Sequence, residues 1–320
     1  MDYRAEIQKL KSEKDVAILA HYYAEGAIQD LADYVGDSFY LAKMGQKVSQ
    51  KNILLAGVVF MGESVKILNP EKTVLVPDLQ AGCSLVDGAP FDKYLAWRRQ
   101  HPDALCMTYI NSSAEVKSIS DVIITSSNAA QILESIPRDR RILFGPDQHL
   151  GKWLSKKTGR EMILWPGSCQ VHILFNADRL KQLIAEHPDA LVIAHPECDD
   201  EILKHASVIG ATSKLLSEVE TNKEYKKFIV ATETGIFHEM QKRRPDAKLI
   251  QAPVVDQNCL CNDCPFMKMN SVEKIYHALK TFKPEVSVPE ELRLKAFTSL
   301  DRMMKITAGQ KVDWPESFQG

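Results

Sequence analysis

An α/β fold made of three repeats around one axis is what this 320-residue sequence predicts. Three observations predict it. Short runs rich in Val, Ile and Leu alternate with segments of helical spacing, as in parallel sheets covered by helices on both faces. Three of these runs end in a polar residue with a hydroxyl residue 17 positions later: His21 and Ser38, Tyr109 and Ser126, His195 and Thr212. Each polar end has a partner two positions on, Tyr23, Asn111 or Glu197, and each stretch closes at cysteine: Cys83, Cys169 and the group Cys259, Cys261, Cys264. Self-similarity of this kind marks a repeated structural unit.

The elements follow in order. Residues 1–14 are charged and read as a surface helix, not a signal peptide. The first repeat has strand-like runs at 16–20, 53–60 and 73–76, the second at 104–109, 141–144 and 162–165, and the third at 190–194, 227–231 and 248–251. A weaker run in each, at 35–37, 122–125 and 208–210, ends just before or beside the hydroxyl residue. That hydroxyl would stand at the carboxyl edge of a sheet and the start of a helix, where open α/β sheets bind ligands and helix N-termini favour anions. One such hydroxyl alone is a plain helix N-cap. Capping does not require a matched polar pair 17 residues upstream, so three at one spacing point to a site. Ile132, Leu133 and Ile136, or Leu180, Leu183 and Ile184, give the helical spacing between strands. Beyond Cys264, residues 271–281 and 292–306 read as helices joined through Pro284 and Pro289, packing back onto the first repeat. The expected units are 1–87 with 266–320, 88–172, and 173–265. Each repeat, at ~85 residues, is small for a free domain but adequate when fused to two others.

Hydrophobic content of 45%, charged content of 26% and a net charge of −2 describe an ordinary soluble protein. Lys and Arg are scattered, so neither a nucleic acid nor a membrane surface is an expected partner. The longest apolar run, 53–61, is too short to span a bilayer. A cytoplasmic location is the expectation. Seven cysteines without a secretion signal do not read as a disulfide framework. Cys106, in a strand-like run, and Cys198, beside Glu197, read as buried small hydrophobes.

The remaining cysteines carry chemistry. The Cys259, Cys261, Cys264 group lacks the second local pair of a zinc ribbon. The chain also lacks the four-cysteine run of a ferredoxin. What remains is one thiol per repeat on a Gly- and Pro-rich loop: Cys83 after Pro77-Asp-Leu-Gln-Ala-Gly, Cys169 after Pro166-Gly-Ser, and the third group after Pro253. The spacing does not choose between Cys259 and Cys264. Three sulfurs favour an iron–sulfur cluster or zinc, with one position open to a substrate. His21, His195, Tyr23, Tyr109 and Glu197 supply hydrogen-bonding and acid–base groups around it.

Ten motifs in order then resemble the quinolinate synthases. They include His21-Tyr-Tyr, Gln29-Asp-Leu-Ala-Asp-Tyr-Val-Gly-Asp-Ser38, Phe60-Met-Gly-Glu63, Pro77-Asp-Leu-Gln-Ala-Gly-Cys83 and Tyr109-Ile-Asn111. Further along stand Pro146-Asp-Gln-His-Leu-Gly151, Trp165-Pro-Gly-Ser-Cys169-Gln-Val-His172, His195-Pro-Glu197-Cys, Gly210-Ala-Thr212-Ser and Cys264-Pro-Phe-Met. The resemblance implies three Rossmann-like α/β/α repeats with parallel sheets around a pseudo-threefold axis. It implies condensation of iminoaspartate with dihydroxyacetone phosphate to quinolinate, releasing phosphate and water, in NAD biosynthesis. It implies one [4Fe-4S] cluster per chain on Cys83, Cys169 and Cys264, the last chosen because the family's ligand directly precedes Pro. Substrate would bind near His21, Ser38, Tyr109, Ile110, Asn111, Ser126, His172, His195, Pro196, Glu197 and Thr212. Tyr23 and Glu197 would move protons, His21 would polarise a substrate oxygen, Tyr109 would assist, and His172 would steady the site. An aspartate-oxidising enzyme is the matching functional partner. Two departures stand out. The last cysteines, Cys259, Cys261 and Cys264, are spaced Cys-x-Cys-x2-Cys rather than Cys-x2-Cys-x2-Cys, which puts any redox disulfide of the outer cysteines in doubt. Gly26-Ala27 replaces the family's Pro-Glu, which predicts a changed turn. An iron–sulfur lyase for a small di-acid, and a metal or redox sensor, are the alternatives from other classes.

Overall fold

The computed structural model describes residues 2–255 and 262–318, so Cys259 and Cys261 lie outside the described residues. Three parallel four-stranded sheets carry the fold. The first holds β1 (Val16–His21), β2 (Tyr34–Gly36), β3 (Asn52–Ala56) and β4 (Thr73–Leu75). The second holds β5 (Leu105–Tyr109), β6 (Val122–Ile124), β7 (Ile142–Gly145) and β8 (Ile163–Leu164). The third holds β9 (Ala190–Ala194), β10 (Val208–Ile209), β11 (Lys227–Ala231) and β12 (Lys248–Gln251). All three share one order, with the first strand of the unit between its second and third. The chain thus reverses direction across each sheet beside its first strand, and the carboxyl ends there form a crevice. The expected α/β class with three Rossmann-like repeats is what the chain adopts.

The register explains the 17-residue spacing. His21 pairs with Gly36, Tyr109 with Ile124 and Ala194 with Ile209, each 15 positions on. Two further residues bring the chain past the sheet edge to Ser38 and Ser126; in the third unit one extra residue on each strand gives His195 and Thr212. Ser38 and Thr212 open the helices Ser38–Lys47 and Thr212–Thr221. The weak runs are therefore real strands, short because each sits at a sheet edge.

One expected strand needs correction. Residues 53–60 do not form a single strand: β3 ends at Ala56, and a helix, Val59–Leu68, starts three residues later. The apolar residues run without interruption through both elements because both are buried, and a short apolar run does not reveal its own period.

Both faces of each sheet are covered. Ile18 and Leu54 pack toward Ile275 and Leu279 of the helix Val272–Thr281, while Leu19 and Leu55 face the opposite core. That opposite core is shared with the second unit, including Met107, Ile123 and Phe144. The N-terminal helix Tyr3–Glu13 is capped by Asp2 and sinks Ile7 into the first unit. The tail differs from expectation in one respect. Val272–Thr281 lies on the first unit, against the N-terminal helix and β3, but the last helix, Glu290–Thr307, packs on the helix Ala114–Ser118 and β6 of the second unit as well as on Val59–Leu68. Its buried stripe, Ala296, Ser299, Leu300, Met303 and Ile306, closes the seam between them. Helical periodicity shows which face is apolar but not which neighbour it will meet.

Candidate active site

The carboxyl ends of the three sheets open into one cavity. It is lined by His21, Tyr23 and Ser38 from the first unit, Tyr109, Asn111 and Ser126 from the second, and His195, Glu197 and Thr212 from the third. Cys83, Cys169, His172 and Cys264 line the same cavity. Of the residues expected at the site, Ile110 and Pro196 do not line it. Each lies between two that do, and successive side chains of extended backbone point to opposite sides.

Glu197 organises the polar wall. It is almost fully buried; its Oε1 accepts from the Tyr109 hydroxyl at 2.6 Å, and its Oε2 lies 2.9 Å from His172 Nδ1. His195 stacks on His172 with ring centroids 4.8 Å apart, and its Nε2 meets Ser126 Oγ at 3.3 Å. Burial pushes the Glu197 carboxyl up, but His195, His172 and Tyr109 outweigh burial and hold it below the usual carboxylate range. Burial drives His21 and His195 down to about 3, so both are neutral near pH 7. Burial, followed by the Glu197 charge, pushes the Tyr23 and Tyr109 phenols well above their ordinary range. The wall therefore offers an ionised Glu197 carboxylate with the neutral rings of His21 and His195 and the protonated phenols of Tyr23 and Tyr109. Asn111 Oδ1 is buried with no hydrogen-bond partner among the described residues, an acceptor turned toward a cavity that a ligand N–H or O–H would satisfy.

The three thiols sit on loops tied to one another. Gln170 N donates to Ser84 Oγ at 3.1 Å, joining the Cys83 and Cys169 loops, and Asn262 Nδ2 donates to Val171 O at 2.6 Å, joining the Cys169 and Cys264 loops. Backbone N–H groups reach each sulfur: Leu85 and Val86 at Cys83, His172 at Cys169, Met267 and Phe266 at Cys264. Such donors favour a thiolate. Burial pushes Cys83 up to about 12 and raises Cys169 and Cys264, so these remain thiols until a metal displaces their protons. Three sulfurs from three units, each with N–H donors and all in one cavity, fit a cluster held by three thiolates. The structure also shows a tighter set: the ligand atoms of Cys169, His172 and Glu197 lie within 4.8 Å of one another.

Several contributors were not picked out from the sequence. Asp147 is buried; it accepts from Leu150 N at 2.7 Å and from Cys169 N at 3.2 Å, capping one helix and anchoring the Cys169 loop. Burial, then the Glu197 charge, pushes its carboxyl well above the usual range. Glu233 accepts from Cys264 N at 3.1 Å and Gly235 N at 2.6 Å, and pairs with Lys268 at 3.0 Å. Lys268 in turn donates to Tyr23 O at 3.2 Å. Thr232 Oγ1 lies 2.8 Å from the Tyr23 hydroxyl and 3.0 Å from His172 Nε2. Asp147 carried a signal, standing in a quoted motif as a helix N-cap. Thr232 and Glu233 carried none, because they break the repeat. Cys106 and Cys198 are fully buried, as small hydrophobes would be. Gly26 opens a short helix, Gly26–Gln29, against His238, whose Nδ1 would lie 2.5 Å from a Cβ at that position.

A family model described as quinolinate synthetase A protein matches residues 5–305. The quinolinate synthase of Nostoc punctiforme is 49% identical over 96% of this chain and 94% of its own length. Those of Thermosynechococcus vestitus and Chloroherpeton thalassium are each 48% identical over 96% of this chain, covering 96% and 95% of their own lengths.

Proposed function

The chain belongs to the quinolinate synthetase A family, and from that premise we propose that it condenses iminoaspartate with dihydroxyacetone phosphate to quinolinate, releasing phosphate and water. The observation that carries the proposal is the meeting of Cys83, Cys169 and Cys264 with Glu197 and its phenol and imidazole partners in one cavity. Cys83, Cys169 and Cys264 would hold one [4Fe-4S] cluster per chain. When bound, the cluster supplies Lewis acidity at an iron with an open position.

The chain's own residues do the rest. Ser38 and Thr212, at helix N-termini, hold anionic carboxylate or phosphate oxygens, with Ser126 at the matching place in the second unit. Asn111 Oδ1 takes a substrate N–H or O–H. Ionised Glu197 accepts a proton, the Tyr109 hydroxyl and His172 ring hold its two oxygens, and Tyr23 is the second proton-transfer residue. Neutral His21 polarises a substrate oxygen without adding charge. Iminoaspartate calls for an aspartate-oxidising enzyme as its source, and the reading carries with it a cytoplasmic location. Among the described residues, no helix is long and apolar enough to cross a membrane.

Two measurements test the proposal. Anaerobically prepared protein should contain about four irons and four sulfides per chain and lose both in Cys264→Ser. Glu197→Gln should keep the cluster and form quinolinate ~10²–10⁴-fold more slowly. The close approach of Cys169, His172 and Glu197 favours a second reading, a single zinc-like ion on mixed sulfur, nitrogen and oxygen ligands. Zinc retained in Cys264→Ser would select it, because Cys264 is not in that set.

A further inference from the structure

Gln29 stands eight positions after His21, Lys117 eight after Tyr109 and Leu203 eight after His195. All three are buried, and each lies in the short helix after the first strand of its unit: Gly26–Gln29, Ala114–Ser118 or Asp200–Leu203. In the first unit Gln29 Nε2 donates to the carbonyl of Ala24 at 2.8 Å and to that of Tyr22 at 3.0 Å. In the second, Lys117 Nζ donates to the carbonyl of Ser112, the residue that matches Ala24. These carbonyls belong to the turns that carry Tyr23 and Asn111 into the cavity. Two repeats thus send a buried donor back to the same carbonyl, with different side chains. Burying an amide or an amine costs more than burying the leucine of the third unit, so packing alone does not call for either.

Each donor also reaches further. Gln29 Nε2 donates to Gly235 O at 2.9 Å, which ties the Tyr23 turn to the third unit. Turning that amide over would set Oε1 against three carbonyl oxygens, so Nε2 is the atom held there; Oε1 has no hydrogen-bond partner among the described residues. Lys117 Nζ lies 5.3 Å from the centre of the ring of Phe60, which lines the cavity. Leu203 has nothing to donate, and the third turn is fixed in another way. Pro196 locks one backbone angle, and Cys198, at the place of Ala24 and Ser112, donates from Sγ to Ala231 O at 3.4 Å.

We propose that Gln29 and Lys117 are positioning residues for the reaction, clamping the turns that aim Tyr23 and Asn111 into the cavity. This rests on the reading of Tyr23 as a proton-transfer residue and of Asn111 as an acceptor for the substrate. Ala24 and Ser112 lie between strand and helix, where no ladder bond stands in for the side-chain donor. A turn freed by about 1 Å costs about 10²-fold in rate.

Lys117→Met and Gln29→Met keep the length and remove the donor, while Lys117→Gln installs the group that serves the first unit. With the cluster-loaded full chain, kcat/KM should fall ~10²-fold in either Met variant, and Lys117→Gln should recover most of it. Double-mutant cycles show which residue each clamp acts through. Lys117→Met should cost little in an Asn111→Ala background and its full amount in Tyr23→Phe, and Gln29→Met should do the reverse. Damage that is merely structural would add in every background. Hydrogen exchange of the full chain reads the clamps without turnover. Lys117→Met should loosen the amides of 110–113 and Gln29→Met those of 22–25, with the remainder protected as in wild type. The Gln29 arm stands by itself should Lys117→Met not fold. Additive cycles, equal losses in Lys117→Met and Lys117→Gln, or unaltered exchange at both turns would overturn the assignment. Wild-type protein that makes no quinolinate, with exchange changes confined to those turns in the variants, would overturn the functional reading and leave the clamps standing.

Discussion

At the scale of single residues, the cavity separates charge from neutrality by burial. His21 and His195 take up a proton near pH 6.5 when unfolded but only at about 3 when folded. Between those values the unfolded chain binds more protons, so stability is lost as the pH falls through this window. Lowering the pH of the cluster-free chain from 6.5 to 5 should cost on the order of 2 kcal/mol per histidine, and His21→Gln should lose one such share of the slope. Urea midpoints measured across that range check it; a flat profile would mean that the imidazoles are charged in the folded state. His21, His195, Tyr23 and Glu197 were legible in the sequence because each recurs at a fixed place in the repeat. Thr232, Glu233 and Lys268 were not, since their roles depend on which strand end faces which loop, and one-dimensional spacing does not contain that.

At the scale of elements, the strands and their parallel sheets were legible, and the junctions were less so. The nine main runs were found because buried parallel strands are continuous stretches of Val, Ile and Leu. The run at 53–60 was over-extended because the strand and the helix after it are both buried. Junctions also place the chemistry. Gly235 follows the Thr232–Glu233 pair, and a Cβ there would lie 2.8 Å from Tyr23 Cα and carbonyl carbon. Backbone cannot swing aside as a flexible side chain does. Gly235→Ala should therefore shift Tyr23 and lower kcat/KM by about 10²-fold, the typical cost of a misplacement near 1 Å. Kinetics beside far-ultraviolet circular dichroism check this: the spectrum should match wild type, and unaltered kinetics would show that the loop yields instead.

At the scale of the whole molecule, no unit owns the site. The polar wall draws on all three sheet edges, and the first and second units share one core with the helix Glu290–Thr307 over its seam. The threefold plan was legible because the spacing repeats. The second contact of the tail was not, because an apolar stripe does not name its partner. Leu300 is fully buried in that seam, and Leu300→Ala should cost about 2–5 kcal/mol. Because the seam joins two units, denaturant unfolding should remain a single transition with both units lost together. Two separated transitions would show that the units melt independently.

The matching corners of the cavity are alike in position and unlike in chemistry: His21, Tyr109 and His195 at the strand ends, Tyr23, Asn111 and Glu197 two places on. Three identical corners would offer any small ligand three equivalent poses. By changing the residue at each corner while keeping the frame, the chain removes that degeneracy. A near-symmetric scaffold thereby acquires a sense of direction.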